Sequence, residues 1–517
     1  MALLAIDIET YSDVDLTKSG VYAYCDSPQF EILLFAYAFD EEETQIIDLA
    51  CGEQLPQRVL DALVDETVIK TAFNAAFERT CISKHLGQKL SPAAWQCTAV
   101  QSAMLALPLS LDGVGEVLDI QRKKLKEGAD LVRFFSMPCK ATKANGGRTR
   151  NLPTDEPEKW ERFKAYCIRD VDAEREIRHK LRNYPIPESE MRLYQMDQEI
   201  NDRGILVDRE LVANAVLCDT QYKEAVTARA YELTGLENPN SPAQIKGWLT
   251  ERGVEVESLD KKAVKSMISD ADGEVLEVLQ LRLLMAKTSV KKYEAIERSV
   301  CSDGRCHGLL QFYGANRTGR WAGRLVQVQN LPQNHIMDLE LARSLVKNRQ
   351  FDLIDLLYDS TPGVLSELIR TAFVPRPGTR FIVADFAAIE ARVLAWFSGE
   401  QWRLTTFAKG GDIYCASASQ MFGVPVVKHG ENGHLRQKGK IAELALGYGG
   451  SVGALTSMGA LDMGMQEEEL QPLVNQWRAS NPHITKFWWD VDAAAVKAVK
   501  ERTSVTYGNL CLSLIHI

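Results

Sequence analysis

Two acidic side chains near the start of the chain are placed to share a cation. Asp7 and Glu9 are two residues apart in the apolar stretch LLAIDIE, which predicts a β-strand. Alternate residues of a strand project to one face, so both carboxylates face one way while Ile6 and Ile8 face the other way, into a core. Two like charges side by side repel each other unless a cation lies between them. The pair is therefore a candidate metal site, and the alternative is a solvated strand face.

Two later segments carry further polar groups of the same chemistry. FNAAFE contains Asn74, Phe77 and Glu78, and YCIRD contains Tyr166 and Asp170. Tyr166 and Asp170 are four residues apart in a strongly helical stretch, so they share one helical face. On its own, Tyr166 is also consistent with a core tyrosine. Together with Asp7 and Glu9, in this order, the segments form a specific pattern of carboxylates and one hydroxyl.

Another acidic residue, Asp385, ends the apolar run RFIVADF, which predicts a buried strand. Glu390 follows in a segment that predicts a helix. A lone aspartate at the end of a buried strand indicates metal-assisted phosphoryl transfer. That chemistry commonly uses two metals about 3.5–4 Å apart, held by more than one carboxylate. Asp385 therefore requires an acidic partner elsewhere in the chain.

The segment HLRQKGKIAELALGYGG places four side chains at intervals of four residues: Arg436, Lys440, Leu444 and Tyr448. On a helix these positions drift by about 40° per step, so they line one broad face that is roughly 18 Å long. Such a face suits a triphosphate at its cationic start and a sugar and base towards Tyr448. The alternative is an amphipathic surface helix with a charged end.

The composition limits the kind of protein that carries these residues. The chain has 517 residues, 45% hydrophobic and 25% charged, which predicts a soluble globular protein of about three domains. No apolar run reaches the roughly 18–20 residues of a membrane helix, and the N-terminus has no basic region typical of a signal peptide. The 11 cysteines form no C-x-x-C pair and suit a reducing cytoplasm. A net charge of −10 argues against a simple coating protein for nucleic acid but not against a nucleic-acid enzyme.

The elements that must position the candidate residues follow from the pattern. Strands are predicted at LLAIDIE, EILLFAYAF and VIKTAF, and a long helix over 160–181, which is an α/β arrangement. RNYPIPESE predicts a linker, residues 191–300 are mostly helical, and SPAQ predicts a helix start. Local basic clusters, each either a solvated face or a nucleic-acid contact, lie at 121–126, 140–150 and 287–292.

In the order D-x-E, N-x-x-F-E and Y-x-x-x-D, the N-terminal segments resemble the 3′–5′ proofreading exonucleases. The resemblance implies a ribonuclease H-like domain in which two metals bridge the scissile phosphate and a tyrosine helps to orient the attacking water. It implies metal ligands at Asp7, Glu9, Glu78 and Asp170, with Tyr166 as the water-positioning group. Glu78 departs from the family, which usually has Asp there, and its extra methylene would shift the metal it holds.

The segments DFAAIEARVLAW and HLRQKGKIAELALGYGG closely resemble the first two polymerase motifs of the family A DNA polymerases, most of all the phage and prophage branch. NRTGRWAG, VQNLP, LIRTAF, GGDIY, INDRGILVD and NSPAQ also resemble segments of that family, so the resemblance extends to about residue 510. It implies that Asp385 binds both catalytic metals. Arg436 and Lys440 would hold the incoming phosphates, and Lys440 would also protonate the leaving pyrophosphate. Glu390, working with Tyr448, would exclude a ribose 2′-OH.

The same resemblance implies contacts to the primer–template duplex from Arg320, Gln329 and Asn330. Leu444 is a departure, since many members of the family have an aromatic residue there that faces the sugar. Sugar discrimination and incorporation rate are the properties that this departure affects.

The acidic partner of Asp385 is not found in the later sequence. Family A polymerases carry a second palm aspartate in a His-Asp-Glu motif, and the sequence contains no His-Asp pair. Asp490 and Asp492 lie in a helical pattern too soon after Tyr448. The last residues, CLSLIHI, do not resemble the family and look like translated read-through of a sequencing adapter. The sequence therefore predicts a chain that is truncated before the second aspartate and extends primers poorly.

The sequence thus predicts a family A DNA polymerase with a proofreading exonuclease. The predicted fold class is α/β and α+β multidomain, with a ribonuclease H-like exonuclease domain (1–181), a linker (182–190), a helical thumb (191–307) and a partial palm and fingers of a right-hand polymerase (308–517). The predicted cofactors are Mg²⁺ or Mn²⁺, two per active site. The predicted partners are primer–template DNA and dNTPs, without a membrane, in the cytoplasm of a bacterial or phage-infected cell.

Two other interpretations stay open. In the first, the chain is an exonuclease whose polymerase part is non-catalytic and only binds DNA. In the second, both sites are inactive and the chain is a non-enzymatic primer–template binding protein. An exonuclease assay separates these two interpretations.

Overall fold

The structure, a computed structural model, describes residues 2–121, 128–285, 290–315, 317–358, 360–461 and 463–513. The chain divides into two units, Met1–Arg380 and Phe381–Ile517, and the finer division into the four predicted segments stays a prediction. Residues 122–126 and 287–289 of the predicted basic clusters, and the last four residues of CLSLIHI, lie outside the described residues. No helix among the described residues is long and apolar enough to cross a lipid bilayer.

The first unit begins with a mixed sheet whose described strands lie in the order β3-β2-β1-β4-β5. The strands are β1 (Leu3–Tyr11), β2 (Glu31–Phe39), β3 (Gln45–Asp48), β4 (Ile69–Ala72) and β5 (Trp95–Cys97). β1 runs antiparallel to β2 and parallel to β4, and β4 runs parallel to β5. The three predicted strands are therefore confirmed, as β1, β2 and β4.

Helices cover both faces of this sheet because its central strands are apolar on both sides. The helices are α1 (Leu16–Asp26), α2 (Gln57–Val64), α3 (Ala75–Leu86), α4 (Thr98–Met104), α5 (Leu111–Val117), α6 (Gly128–Phe135) and α7 (Pro157–Lys180). The predicted helix over 160–181 is confirmed as α7, which packs Phe163 against β1 and β2. Ile6 and Ile8 lie in a separate core on the opposite face with Ile82 of α3, as predicted.

The rest of the first unit is mostly helical. It contains α8 (Glu188–Arg203), α9 (Arg209–Thr234), α10 (Pro242–Glu251), α11 (Lys261–Asp270), α12 (Gly273–Met285), α13 (Lys291–Ser299), α14 (Leu339–Lys347), α15 (Phe351–Leu357) and α16 (Thr361–Leu368). Short strands are β6 (Ile205–Leu206), β7 (Arg305–Cys306), β8 (Leu310–Ala315) and β9 (Arg320–Gly323). The helix start predicted at SPAQ is confirmed, with Ser241 as N-cap and Pro242 as the first helical residue.

The last three residues of the predicted linker over 182–190 are helical. α8 already begins at Glu188, directly after Pro187, which takes the extended N-cap conformation. Glu188 and Glu190 lie in the first turn of the helix. Their negative charges stabilise the positive end of the helix dipole, so these residues join the helix instead of the linker.

Residues from beyond α7 complete the core of the N-terminal sheet. Tyr194 of α8 and Phe312 of β8 are buried in the same apolar core as β1 and α3. Arg79 of α3 also forms a buried ion pair with Asp202 of α8, with 2.7 Å between Nη2 and Oδ1. The sheet and the helical part of the first unit therefore share one interior.

A buried carboxyl group in this shared interior makes stability depend on pH. Asp197 of α8 accepts hydrogen bonds from Gln198 (2.9 Å) and Asn201 (3.2 Å), and burial raises its pKa to about 6. Since this pKa is raised in the folded state, the carboxyl group favours folding most at low pH, and that contribution is lost as the pH rises through about 6. The ionised form of Asp197 therefore lowers the free energy of unfolding at neutral pH.

We expect Asp197→Asn to stabilise the protein more at pH 8 than at pH 5, by a difference of about 1–2 kcal/mol. The substitution keeps an acceptor oxygen for both hydrogen bonds and removes the charge. The check is the free energy of unfolding in urea at the two pH values. An equal effect of the substitution at both values would contradict the raised pKa.

The second unit is helical with one hairpin among its described residues. It contains α17 (Ile389–Ser398), α18 (Gln401–Ala408), α19 (Ile413–Phe422), α20 (Leu435–Leu446), α21 (Val452–Ser457), α22 (Glu467–Ser480), α23 (Pro482–Glu501), β10 (Val505–Tyr507) and β11 (Leu510–Leu512). The strand predicted at RFIVADF is wrong: residues 380–386 form no strand, and Ile382 and Val383 are 87% and 92% exposed. A strand persists when its backbone groups pair with a neighbour, and no described residue pairs with this segment.

Candidate active site

Asp7 and Glu9 are brought together with a thiol from α7. Carboxylate oxygens of both residues and Sγ of Cys167 lie within 4.8 Å of one another. No other group of three or more acidic, histidine or cysteine ligand atoms is this close within the described part of the chain. The ladder between β1 and β2 shifts register between Glu9 and Thr10. Such an irregularity bends a strand and re-aims its side chains, as is common beside active sites.

Two further buried carboxyl groups lie around this group. Glu78 is in the first turn of α3 and only 5% exposed, and its Oε2 has no hydrogen-bond partner among the described residues. Burial and then the negative charge of Asp7 raise the pKa of Glu78 well above its usual value. Asp170 is buried on α7, and its charge helps to raise the pKa of Cys167 after burial, Asp7 and Glu9. The structure thus brings Asp7 and Glu9 together and buries Glu78 and Asp170, and the metal-binding role of all four stays a prediction.

Tyr166 packs in the apolar core and also belongs to the candidate site. Its ring stacks on Phe163 with 6.2 Å between centroids, and it lies so close to Gly128 that a Cβ there would be 2.1 Å from Cε2 of the ring. Burial and then the charges of Glu9 and Asp170 raise the pKa of Tyr166. The phenol therefore keeps its proton at neutral pH and can donate a hydrogen bond beside the carboxylates.

The donor groups at this centre fit a divalent cation. Carboxylate oxygens are the ligands that Mg²⁺ and Mn²⁺ prefer. Buried polar atoms are nearly always hydrogen-bonded, so the buried Glu78 Oε2, which has no partner among the described residues, can still accept a ligand. Asp7, Glu9, Glu78 and Asp170 are thus the residues that would hold the ion.

The second set of predicted residues lies on α20 and just after it. The helix contains Arg436, Lys440 and Leu444, but Tyr448 lies outside it. The prediction of one helix through Tyr448 is wrong, because α20 ends at Leu446 and Tyr448 lies in the turn that follows. Gly449 has a φ of 77°, which a right-handed helix cannot contain. Leu444 and Tyr448 are 45% and 68% exposed.

The two cations of α20 that were predicted to bind phosphates differ in their surroundings. Arg436 Nε donates to Asp412 Oδ2 at 2.8 Å, and this hydrogen bond raises the pKa of Arg436. Lys440 is half-buried and forms no ion pair with any residue that the structure describes. Lys440 is therefore the cation of this helix that remains available to a phosphate.

Sequence reasoning missed a buried ionic network that holds α20. Arg403 of α18 donates to both carboxylate oxygens of Glu443, at 2.5 and 2.7 Å, and neither side chain is exposed. Ser417 and Trp477 donate to the same carboxylate at 2.7 and 2.9 Å. A charge pair in an apolar interior is tolerated only with such complete hydrogen bonding. The network fixes Glu443, and hence the position of Lys440 one turn before it.

Asp385 is exposed, and Glu390 lies in the first turn of α17, in the predicted helix. Asp385 belongs to no group of three candidate metal ligands within the described ranges. Asp490, on α23, accepts hydrogen bonds from Lys486 (2.5 Å) and Tyr507 (2.7 Å). The structure therefore assembles the N-terminal carboxylate centre and not a comparable centre at Asp385.

The predicted duplex-binding residues lie close together in sequence and are all exposed. Arg320 begins β9, and Gln329 and Asn330 lie in the short 3₁₀ turn Val328–Asn330. In the basic cluster at 140–150, Arg148 lies 3.4 Å from Asp155 and Arg150 pairs with Glu31. These pairs favour a structural role for that cluster.

Cys167 is the other residue that sequence reasoning missed. YCIRD contains this thiol directly after Tyr166, but only the packing of α7 on β1 brings it to Asp7. Scattered cysteines without a C-x-x-C pair gave no reason to single it out.

Comparison with known proteins places this geometry in context. The sequence profile described as DNA polymerase family A matches residues 216–508. The chain is 58% identical over 506 residues to a DNA polymerase of Bacillus phage SP02. The alignment covers 98% of this chain and 78% of that protein. It is 25% identical over 308 residues to DNA polymerase I of Pseudomonas aeruginosa, covering 58% of this chain and 30% of that protein.

A solved structure with a similar fold is the POL domain of Pol1 from M. smegmatis in complex with DNA primer-template and dNTP. The TM-score is 0.59 at 17% sequence identity, and the match covers 98% of this chain and 76% of that chain. At this identity the likeness concerns the fold.

Proposed function

Because this chain belongs to DNA polymerase family A, we propose that it catalyses template-directed DNA synthesis and also removes 3′-terminal nucleotides at its N-terminal carboxylate centre. The predicted family is confirmed, and so is the predicted resemblance to phage polymerases. The proposed partners are primer–template DNA and dNTPs, and the proposed location is the cytoplasm of a bacterial or phage-infected cell. The observation that carries the polymerase proposal is the 58% identity to a phage DNA polymerase across nearly the whole chain.

The exonuclease proposal is carried by the close approach of the Asp7 and Glu9 carboxylates on β1. When bound, two divalent metals would activate the attacking oxygen and stabilise charge on the scissile phosphate. Asp7, Glu9, Glu78 and Asp170 would hold these ions. Tyr166 would orient the attacking water through its protonated hydroxyl group. The expected ions are Mg²⁺ or Mn²⁺, since carboxylates dominate the centre.

In the polymerase proposal, side chains of α20 bind the incoming nucleotide. Family A DNA polymerases use divalent metal ions, and Asp385 would hold them here. Arg436 and Lys440 would bind the phosphates, and Lys440 would donate a proton to the leaving pyrophosphate. Glu390 and Tyr448 would exclude a ribose 2′-OH, and Leu444 would lie against the sugar. Arg320, Gln329 and Asn330 would contact the primer–template duplex.

A second candidate function is a 3′–5′ exonuclease whose polymerase part only binds DNA. The contrast between the two centres favours it, because Asp385 joins no group of candidate metal ligands within the described residues. A protein that only binds primer–template DNA, without either activity, is the remaining alternative.

Two assays on one labelled primer–template decide among these functions. Extension with Mg²⁺ and all four dNTPs tests synthesis, and shortening of the single-stranded primer without dNTPs tests the exonuclease. Extension and shortening together support the first proposal. Shortening alone supports the second candidate, and binding without either activity supports the third.

A further inference from the structure

Cys167 contacts the candidate metal ligands directly. Its Sγ donates to Oδ2 of Asp7 at 3.4 Å and to the backbone carbonyl oxygen of Asp7 at 3.6 Å. The thiol lies on α7, fully buried, on the side of the helix that faces β1. A sulfur atom is therefore part of the wall of the carboxylate centre.

Packing alone is the ordinary role of a buried cysteine, and other cysteines of this chain show it. Cys97 and Cys306 donate to backbone carbonyl groups, and Cys25 faces Cys81 with 3.4 Å between the sulfur atoms. Cys167 differs because its sulfur lies within 4.8 Å of ligand oxygens of two different carboxylates.

Glu78 provides a second and independent indication of a bound cation. Its side chain is 95% removed from solvent, and Oε2 accepts no hydrogen bond from the described residues. Glu78 lies in the first turn of α3, which contacts β1, the strand that carries Asp7. A buried carboxylate oxygen without a donor is expensive unless a cation or water lies beside it.

The chemistry of the donors decides which cation suits them. Mg²⁺ binds hard oxygen ligands, whereas thiolate sulfur selects softer ions such as Zn²⁺ and Cd²⁺. On binding, the thiol would release its proton to solvent as the sulfur–metal bond forms, without any change of oxidation state.

We propose that Cys167 is a thiolate ligand that gives the N-terminal carboxylate centre a site for a thiophilic divalent cation of the zinc and cadmium class, in competition with Mg²⁺. The proposal rests on the exonuclease centre proposed above and adds one ligand and one class of ion to it. It predicts that the centre discriminates between metals through sulfur.

The test is a Cd²⁺ titration that follows the ultraviolet sulfur-to-cadmium charge-transfer band, without DNA. The exposed thiols Cys51 and Cys511 are first replaced by serine, so that they cannot bind the probe. In this parent protein, we expect a band that saturates at one equivalent of Cd²⁺. Excess Mg²⁺ should move the midpoint to higher Cd²⁺ concentration if the two ions share the centre.

Cys167→Ala and Cys167→Ser should both lose the band, and Asp7→Asn should weaken Cd²⁺ binding by at least about tenfold. Cys218→Ala is the matched control, because Cys218 is equally buried but lies on α9 in another core. No band in the parent, a band that survives in either Cys167 variant, an equal loss in Cys218→Ala, or no effect of Mg²⁺ would overturn the proposal. Because the band is read without substrate, it can fail while DNA is still degraded, which separates this inference from the proposed exonuclease.

Discussion

Asp7→Asn is expected to reduce Mg²⁺-dependent degradation of single-stranded DNA by at least about a thousandfold. The amide has the shape of the carboxylate but no charge, so it cannot neutralise a cation beside Glu9. Metal-assisted charge stabilisation contributes several kcal/mol to such a reaction, and each 1.36 kcal/mol corresponds to a factor of ten. The measurement is the rate of shortening of a labelled oligonucleotide under single-turnover conditions.

The matched control is Asp61→Asn. Asp61 lies exposed on α2, where it accepts a hydrogen bond from Gln57 at 2.8 Å, away from the carboxylate centre. Its substitution should leave the rate within a factor of about two, as is usual for a surface change. If Asp7→Asn degraded DNA as fast as the parent, the N-terminal centre would not be the site of an exonuclease.

The second large effect is expected at Lys440. Lys440→Ala should lower the rate of single-nucleotide incorporation by roughly a hundredfold or more, because it removes the proton donor and the charge that stabilise the leaving pyrophosphate. Incorporation is measured in an Asp7→Asn background. Binding of a fluorescent dNTP to the chain is followed in parallel by anisotropy.

Lys438→Ala provides a matched control two residues away on the same helix. Lys438 pairs with Glu469 of α22, with 2.6 Å between Nζ and Oε1, so its charge is already used. This variant should keep incorporation close to that of the parent. Exonuclease activity is measured for Lys440→Ala without the Asp7 substitution, where its loss together with incorporation would show misfolding. An undiminished incorporation rate would remove Lys440 from the proposed mechanism.

Much of the N-terminal fold was predictable because its signals are local. EILLFAYAF is a run of apolar residues long enough for one strand, and β2 has the same bounds. Asp7 and Glu9 needed only the two-residue period of a strand to be placed on one face. RFIVADF has an equally strong signal and forms no strand, since that outcome depends on partner strands far away in sequence.

The missed parts of the sites depend on contacts between distant residues. No local pattern singled out Glu443, because it is the approach of Arg403 from another helix that makes it buried and paired. Cys167 became a candidate ligand only once α7 was seen to cross β1 beside Asp7. The four-residue spacing predicted that Tyr448 lies on α20. The left-handed backbone of Gly449 is incompatible with a helix that continues through this segment.

The interior shared between the N-terminal sheet and α8 has a consequence for protein engineering. A fragment cut at residue 181 would lose Tyr194 and Phe312 from the core of its sheet, and Arg79 would lose Asp202. Arg79 directly follows Glu78 on α3, so the damage would begin one residue from a candidate ligand. We therefore expect that the N-terminal sheet and its helices do not fold stably without α8 and β8. A graft of this part onto another polymerase would have to include both elements.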